Sequence, residues 1–271
     1  MLKDWFPPII WRILGKAKRS TITYHGDFPS WQDAVSASSG YDKENILNKV
    51  KSATLKVKNG EAVYERDSVL FNKTHYSWPT LSGLMWAASQ ENGSLRVLDF
   101  GGSLGSSYFQ NLKFLQKVPD VEWGVVEQPH FVECGKQYVE DDQLKFYETI
   151  DECISEIKPN VILVSSVLQY IEMPYDILRV LMKIKARCMI IDRTPFSKKG
   201  DDKLVVQHVP ESIYSASYPS WIFSRSCFMK NISQSWDLIA DIDWSEGKWY
   251  RTQSGFDFNY SGFILGNNTV L

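Results

Sequence analysis

The fold of this chain is decided by residues 96–105, which read Arg-Val-Leu-Asp-Phe-Gly-Gly-Ser-Leu-Gly. The apolar side chains Leu95, Val97 and Leu98 predict a buried parallel strand, because a strand covered on both faces is apolar at successive positions. The strand ends at an acid, and three glycines follow within five positions. Glycine permits a sharp turn with positive φ and lets backbone N–H groups approach a ligand closely. Residues 106–116 follow as a predicted helix, so the sequence predicts a strand, a glycine loop and a helix in succession.

The kind of ligand implied by this loop depends on the order of its residues. Open α/β sheets bind nucleotide-like cofactors at the carboxyl ends of their strands, beside a helix N-terminus. A dinucleotide-binding loop reads Gly-x-Gly-x-x-Gly directly after the strand, whereas this loop reads Asp-x-Gly-Gly-Ser-x-Gly. It resembles the first motif of class I S-adenosylmethionine (SAM) methyltransferases, with Ser103 where that family usually has its middle glycine. A purely structural strand-to-helix turn is the alternative interpretation of the loop.

Composition narrows the class of protein further. The chain has 271 residues, 44% of them hydrophobic and 23% charged, which is ordinary for a globular protein with room for one α/β domain and additions. The net charge of −2 argues against nucleic acid as a partner, since proteins that bind phosphate backbones usually carry a basic face. The four cysteines and four histidines are scattered, so neither a disulfide framework nor a metal site is predicted.

Residues 1–90 precede the glycine-loop strand and are predicted to form a helical extension or lid. Residues 1–19 mix aromatic and aliphatic side chains with a basic end, which is typical of an amphipathic helix at a membrane surface or of a helix docked on protein. Further helices are predicted to begin at Ser30 and to span 44–58 and 76–88. By analogy with methyltransferases, this layer serves as a lid or as the contact in a homodimer. The chain shows no membrane-spanning segment and no signal peptide, so we expect it in the cytoplasm, free or peripheral at the inner membrane.

Strands and helices alternate after the glycine loop and predict a doubly wound sheet. The predicted strands lie at 121–127, 144–147, 160–165 and 188–192. This alternation implies parallel strands joined by right-handed crossovers. The last part of the chain differs, because residues 236–244 and 260–265 predict an antiparallel pair. The predicted fold class is therefore α/β, a Rossmann-like and mostly parallel sheet with an antiparallel C-terminal hairpin, in a cofactor-binding domain over residues 91–271.

Acidic and small polar residues at the strand ends are the predicted cofactor ligands. Glu127 ends the second strand, where a carboxylate can accept hydrogen bonds from both hydroxyls of a ribose. Ser165 and Ser166 end the fourth strand, which resembles the methyltransferase segment that flanks the methionine part of the cofactor. The complete predicted set is Asp99, Gly101, Gly102, Ser103, Gly105, Glu127, Gln128, Glu148, Ser165 and Ser166.

An insert over about residues 193–235 is predicted to bind the acceptor substrate. It follows the C-terminal end of the fifth strand, so its first side chains face the crevice of the sheet. It is rich in tyrosine, tryptophan and hydrogen-bonding side chains, which suit sugars and nucleotide-like acceptors but also an ordinary packed loop. The predicted substrate ligands are Arg193, Gln207, Tyr214, Tyr218 and Trp221.

A hydroxyl acceptor would require a general base, and three side chains are candidates. His208 is the first choice, because histidine ordinarily titrates near neutral pH. Tyr170 and Glu172 follow the fourth strand and are the alternatives. An ordinary strand histidine without a catalytic role is the competing interpretation of His208.

Six segments along the chain carry a more specific resemblance. They read SWQDAVSASSGYD, VLDFGGSLGSSYFQN, VVEQP, LVSSVLQYIE, IDRTPF and YSASYPSW. Together they resemble an uncharacterised family of methyltransferases often encoded in bacterial surface-polysaccharide gene clusters. The resemblance implies SAM-dependent methyl transfer to oxygen or nitrogen of a small or glycan-linked acceptor. The alternatives are a catalytically inactive, methyltransferase-like scaffold subunit of a polysaccharide assembly complex and a nicotinamide oxidoreductase, which the glycine spacing disfavours.

Overall fold

A computed structural model describes residues 22–40, 43–66, 68–210, 216–232, 235–243 and 249–269. The amphipathic segment predicted over residues 1–19 and the predicted substrate ligand Tyr214 lie outside these ranges. Within them, every helix is too short or too polar to cross a membrane.

Strands and helices alternate along most of the described chain. The strands are β1 (Thr23–His25), β2 (Tyr64–Arg66), β3 (Val69–Phe71), β4 (Ser94–Phe100), β5 (Asp120–Val126), β6 (Leu144–Tyr147), β7 (Val161–Ser165), β8 (Cys188–Ser197), β9 (Lys203–Val209), β10 (Ala216–Ser224), β11 (Trp236–Asp243), β12 (Tyr250–Arg251) and β13 (Asp257–Asn267). The helices are α1 (Trp31–Ser36), α2 (Lys43–Lys58), α3 (Trp78–Gln90), α4 (Ser106–Leu115), α5 (Pro129–Tyr138), α6 (Ile150–Ile157), α7 (Pro174–Met182) and α8 (Arg225–Ile232), and a 3-10 turn covers Leu168–Tyr170.

A parallel sheet in the order β6-β5-β4-β7-β8 organises the molecule. The chain builds outward from β4 in one direction through β5 and β6, and then returns to the other side of β4 with β7 and β8. The carboxyl ends of β4 and β7 therefore flank a topological switch point, the place where open α/β sheets form a crevice for ligands. The predicted Rossmann-like sheet is confirmed.

Two antiparallel strands complete one edge of the sheet. β13 pairs antiparallel with β8 along most of its length, and β11 pairs antiparallel with β13. The predicted antiparallel C-terminal pair is confirmed, although β13 begins at Asp257 rather than at residue 260.

The fifth parallel strand is longer than the sequence predicts and joins the sheet to the insert. β7 ends at Ser165, opposite Asp192, but β8 continues to Ser197. Beyond the end of β7, β10 pairs with β8 at Phe196 and Ser197, and β9 and β1 extend this layer in antiparallel fashion. The predicted insert boundary at residue 193 therefore falls inside a strand, because β13 and β10 supply β8 with partners on both sides.

The N-terminal region is less helical than predicted. Its helices α1, α2 and α3 are present, and Ser30 caps α1 as predicted by accepting a hydrogen bond from the Asp33 N–H at 3.1 Å. However, β1 pairs with β9 of the insert, and β2 and β3 form a separate hairpin. That hairpin contacts α4, because the hydroxyl of Ser106 donates to the buried Glu65 carboxylate and Gln110 Nε2 donates to the Tyr64 hydroxyl at 3.0 Å. The division of the chain into an extension and a cofactor-binding domain stays a prediction.

Two hydrophobic layers cover the parallel sheet, one on each face, and two smaller clusters pack on the antiparallel strands. In β7, Val161 and Leu163 belong to one layer, whereas Ile162 and Val164 belong to the other. Successive side chains of a strand point to opposite faces, so both faces of the sheet are covered. This burial explains why the central strands are continuous apolar runs in the sequence.

Candidate functional site

The glycine loop leaves β4 at the carboxyl edge of the sheet and turns directly into α4. Gly101, Ser103 and Gly105 have φ values of +70°, +55° and +86°, and Gly105 is the N-cap residue of α4. A Cβ atom on Gly102 would lie 2.5 Å from the Asp99 carboxyl carbon. The loop is thus closed tightly over Asp99, and Ser103 adopts the left-handed conformation without being glycine, at a cost of about 1–2 kcal/mol.

Asp99 lies beneath this loop as a buried acid. Its side chain points toward β5, where Trp123 Nε1 donates a hydrogen bond to Oδ2 at 3.1 Å. The pKa of Asp99 is raised to about 7, mainly by burial, with the Trp123 hydrogen bond lowering it and the negative charge of Glu127 adding to the rise. In this position Asp99 packs against the loop at Gly102. Its contact with a cofactor stays a prediction.

Glu127 stands at the carboxyl end of β5, beside the loop. Its Oε1 accepts a hydrogen bond from the Ser103 N–H at 3.3 Å, and its Oε2 accepts one from the Gln128 N–H at 2.7 Å. Burial raises the pKa of this carboxyl group, although the two backbone hydrogen bonds lower it. A carboxylate offers about four acceptor sites, so each oxygen keeps capacity for one further donor. The structure brings Glu127 and Ser103 together as the sequence suggested.

The other predicted cofactor ligands lie along the same edge of the sheet. Gln128 is exposed and is the N-cap residue of α5, and Glu148 is exposed just beyond the end of β6. Ser166 has a φ of +56°, and its hydroxyl accepts a hydrogen bond from Gln169 Nε2 at 3.1 Å. Backbone strain of this kind in a non-glycine residue is typical of functional sites.

A buried polar network that the sequence analysis did not identify ties α3 to this edge. The Asp192 carboxylate accepts hydrogen bonds from the Thr80 hydroxyl at 3.0 Å and from the Ser165 hydroxyl at 3.3 Å. Ser77, the N-cap residue of α3, donates in turn to Thr80 at 2.5 Å. The position of Asp192 at the end of a predicted strand could have marked it as a site residue. Thr80 is distant in sequence, and only the packing of α3 shows that it contacts Asp192.

The predicted acceptor residues meet at the carboxyl end of β7. The Tyr170 hydroxyl donates to Gln207 Oε1 at 3.2 Å, and Gln207 Nε2 donates to the Tyr218 hydroxyl at 3.1 Å. The rings of Tyr170 and Tyr218 are nearly perpendicular, with centroids 5.3 Å apart. Trp221 Nε1 donates to the Ile171 carbonyl at 3.0 Å, but Trp221 lies on the opposite face of β10 from Tyr218 and packs there against a hydrophobic cluster, so its contact with a substrate stays a prediction. Residues from two distant segments are thus assembled into one polar and aromatic group.

Two tyrosines that the sequence analysis did not identify adjoin this group. Tyr24 of β1 lies opposite Gln207 in the strand register, and its hydroxyl shares a hydrogen bond of 2.5 Å with that of Tyr260 on β13. Burial raises the pKa of Tyr24 well above its usual value, and the nearby Tyr170 raises it further. Tyr24 therefore stays protonated near neutral pH.

His208 does not share the side of β9 that carries Gln207. Successive side chains alternate along a strand, so His208 lies on the opposite face, where its ring centroid is 4.3 Å from that of His25. Burial, followed by the neighbouring His25, lowers the pKa of His208. The lower pKa favours the neutral ring, but the general-base role of His208 stays a prediction, and the arrangement favours Tyr170 as the residue nearer the acceptor group.

The remaining predicted residues have distinct surroundings. Glu172 is exposed and lines a surface cavity of about 170 Å³ together with Trp221. Arg193 has a φ of +47°, and its Nε lies 3.9 Å from Asp192 Oδ2. Their roles in catalysis and in substrate binding are not decided by these contacts. Across the described ranges, no cluster of three or more His, Cys, Asp or Glu side chains has the spacing to hold a metal ion.

Comparison with known proteins gives only distant similarities. No family model and no curated protein matches the sequence. The N-terminal domain of EvdMO1, solved in the presence of SAH and D-fucose, is 14% identical with a TM-score of 0.48, over 84% of this chain and 97% of that one. Magnesium protoporphyrin IX methyltransferase from Synechocystis PCC 6803, with bound SAM, is 13% identical with a TM-score of 0.40, over 68% and 77%. The 1,6-didemethyltoxoflavin-N1-methyltransferase of Burkholderia thailandensis is 11% identical with a TM-score of 0.38, over 84% and 91%. The fold assignment rests on the strand order described above.

Proposed function

We propose that this protein is a SAM-dependent methyltransferase that modifies an oxygen or nitrogen atom of a small or glycan-linked acceptor. The observation that carries the proposal is the position of Glu127. This carboxylate stands beside the glycine loop at the carboxyl end of β5, one strand from the switch point, and two backbone N–H groups hold it in place. Its remaining acceptor capacity suits the adjacent hydroxyls of a ribose.

The surrounding residues fit the rest of such a cofactor. The loop residues Gly101 to Gly105 lead from the end of β4 into the start of α4, the arrangement that binds nucleotide-like groups in open α/β sheets. Ser165 and Ser166 close the other side of the switch point, at the end of β7. Within the described residues, no ion pair occupies Glu127, so its carboxylate is free to accept ligand hydroxyls.

A bound cofactor would supply an electrophilic methyl group on a positively charged sulfur, which would pass to the acceptor atom as the carbon–sulfur bond breaks and leaves its electron pair on sulfur. The protein mainly has to hold the nucleophile in line and at short distance. The Tyr170 hydroxyl, fixed by Gln207, is suited to hydrogen-bond the acceptor, and the acceptor proton leaves to water or to a neighbouring base.

The experiment that tests this proposal is calorimetric titration with S-adenosylhomocysteine. We expect the wild-type protein to bind S-adenosylhomocysteine and not to bind NAD. Glu127→Gln keeps the shape of the side chain but replaces one acceptor oxygen by a donor, so it should lose one charge-assisted hydrogen bond. Such a bond contributes about 1.5–3 kcal/mol, which corresponds to binding weaker by roughly 10- to 150-fold.

Glu133→Gln is the matched control, since Glu133 is exposed on α5 and its substitution should leave the affinity unchanged. A folded wild-type protein that does not bind S-adenosylhomocysteine would contradict the proposal. That result would favour the alternative of an inactive scaffold subunit.

We propose further that the methylation belongs to surface-polysaccharide biosynthesis. The support for this proposal is the resemblance of the six sequence segments to the methyltransferases of such gene clusters. Incorporation of a labelled methyl group into nucleotide sugars or glycans, assayed with purified protein, would test it directly.

A further inference from the structure

Two buried side chains, one in the 3-10 turn after β7 and one in β10, carry polar atoms without a hydrogen-bond partner. Gln169 is fully buried, and while its Nε2 donates to Ser166, its Oε1 has no partner. Ser220 is 1% exposed, and its hydroxyl also has none. Buried polar atoms in proteins are nearly always bonded, so each exception requires an explanation. A ligand with hydrogen-bond donors would satisfy both atoms.

These two side chains belong to elements that pack against each other. Gln169 lies in the 3-10 turn after β7, and Ser220 lies in β10. The turn contacts this strand through the Tyr170–Tyr218 ring pair and through the Trp221–Ile171 hydrogen bond. Tyr218 and Ser220 share one face of β10, because alternate residues of a strand point the same way. We call the region formed by Gln169, Tyr170, Gln207, Tyr218 and Ser220 the acceptor seam.

The acceptor seam is built from uncharged groups. The Tyr170–Gln207–Tyr218 hydrogen-bond chain contains no acid and no base that ionises near neutral pH. Cations on the adjoining strands are paired with acids, since Lys203 Nζ lies 2.7 Å from Asp27 and Arg193 lies beside Asp192. Anionic ligands are usually bound by arginine or lysine in charge-assisted hydrogen bonds. The seam is therefore poorly suited to a phosphate or a carboxylate.

The hydrogen-bonding groups of the acceptor seam indicate a class of substrate. The Gln169 carbonyl can only accept a hydrogen bond, so it requires an O–H or N–H group. Ser220 can accept or donate, and the tyrosine rings offer apolar surface to the carbon skeleton of a ring. We propose that the acceptor is an uncharged, hydroxyl-rich ring, that is, a neutral sugar unit, and that Gln169 determines this specificity. This inference rests on the proposed function and refines its substrate class.

A binding role for the acceptor seam predicts an unusual effect on stability at Ser220. Replacing a buried polar group that lacks a partner by an apolar group is neutral or stabilising, because its desolvation cost disappears. The Ser220 hydroxyl has no hydrogen-bond partner, so we expect Ser220→Ala to melt at a temperature equal to or above that of the wild type. Gln169→Met also loses the hydrogen bond from Nε2 to Ser166, so we expect it to melt slightly below the wild type, and its diagnostic effect is the loss of sugar binding.

The binding test is saturation-transfer difference NMR on the protein alone, without cofactor. The probes are methyl β-D-galactoside and methyl α-L-rhamnoside as neutral sugars, with glucose 6-phosphate and glucuronic acid as charged ones. We expect signals from the neutral glycosides, weakened roughly tenfold in Gln169→Met by the loss of one hydrogen bond at a buried site. Gln137→Met, on the exposed side of α5, is the control and should leave the signals unchanged.

Three results would overturn the inference. They are an absence of signal from both neutral glycosides, a preference for the charged sugars, and sugar binding that is unchanged in Gln169→Met. Because no cofactor is present, none of these results depends on Glu127. Failure of the proposed function would appear separately, as a lack of S-adenosylhomocysteine binding.

Discussion

Asp99 shows how the position of a single side chain changes its chemistry. In water an aspartate ionises with a pKa of about 3.9, but beneath the glycine loop burial raises the pKa of Asp99 to about 7. The carboxyl oxygen that accepts from Trp123 holds the loop to β5. The folded protein therefore binds a proton here more tightly than the unfolded chain does.

This difference predicts that Asp99 lowers stability as the pH rises. Between about pH 4 and pH 7 the folded state holds the proton that the unfolded state releases, so the free energy of unfolding falls with increasing pH and then levels off above pH 7. Asp99→Asn cannot ionise and still accepts the Trp123 hydrogen bond. We expect the stability of Asp99→Asn relative to wild type to increase by about 2–3 kcal/mol from pH 5 to pH 8.

Urea unfolding at several pH values measures this difference. Asp142→Asn is the control, because Asp142 is exposed and should give parallel curves. If Asp99→Asn also followed the wild type in parallel, Asp99 would not carry a raised pKa.

Ser103 is the residue at which the chain departs from the methyltransferase loop pattern. Its backbone occupies the left-handed region, and its N–H donates to Glu127 at 3.3 Å. The loop thus keeps a conformation that glycine adopts easily, even though serine occupies the position. The departure visible in the sequence does not remove the contact between the loop and the acid of β5.

At the level of secondary structure, the junction of β13 with β8 depends on one glycine. The register between these strands shifts at Gly262, and a Cβ atom there would lie 2.0 Å from the Ile191 carbonyl oxygen. The Ile191 carbonyl belongs to the backbone of the sheet, so it cannot move aside as the end of a side chain can. The antiparallel edge of the sheet therefore requires glycine at this position.

We expect Gly262→Ala to lower the free energy of unfolding by about 3 kcal/mol or more, at the upper end of the usual cost of overpacking. Gly83→Ala in α3 is the contrasting variant, because its Cβ would meet side chains and not backbone, with Ile190 Cδ1 at 2.7 Å and Ile264 Cδ1 at 3.4 Å. Alanine also favours a helix by about 1 kcal/mol over glycine, so this variant should cost clearly less stability than Gly262→Ala. Urea unfolding of both variants measures their free energies of unfolding. Equal losses would show that the β13–β8 contact does not cause the destabilisation of Gly262→Ala.

For the molecule as a whole, β8 is the shared strand. Its first half belongs to the parallel sheet and its end pairs with β10, while β13 follows it along nearly its entire length. The antiparallel layer of β1, β9 and β10 is therefore continuous with the main sheet. Elements that share a strand in this way tend to unfold together.

This continuity predicts a single cooperative unit, which amide hydrogen exchange can test. Peptides covering residues 203–209 and 216–224 should show the same opening free energy as the peptide covering 94–100. Markedly lower protection in the first two would mean that the antiparallel layer opens on its own, and that the acceptor seam is formed only part of the time.

Local pattern was sufficient to predict the strands of the parallel sheet, the glycine loop and the acid at Glu127. A buried strand must be apolar, and a tight turn into a helix requires glycine, so these features are visible in short stretches of residues. The same reasoning could not predict the length of β8. Its last five residues are a strand because β13 and β10 pair with them, and strand pairing is a property of distant segments.

The acceptor seam shows most clearly which features local sequence predicts and which depend on tertiary structure. Sequence reasoning identified Tyr170, Gln207 and Tyr218 as a group of suitable side chains, and it equally selected His208, the neighbour of Gln207. Only the register of β1, β9 and β10 puts Gln207 beside Tyr170 and His208 on the other face, because adjacent residues of a strand point in opposite directions. Residue types and their spacing thus define the cofactor loop, whereas the choice of side chains that meet across the crevice depends on contacts between segments far apart in the chain.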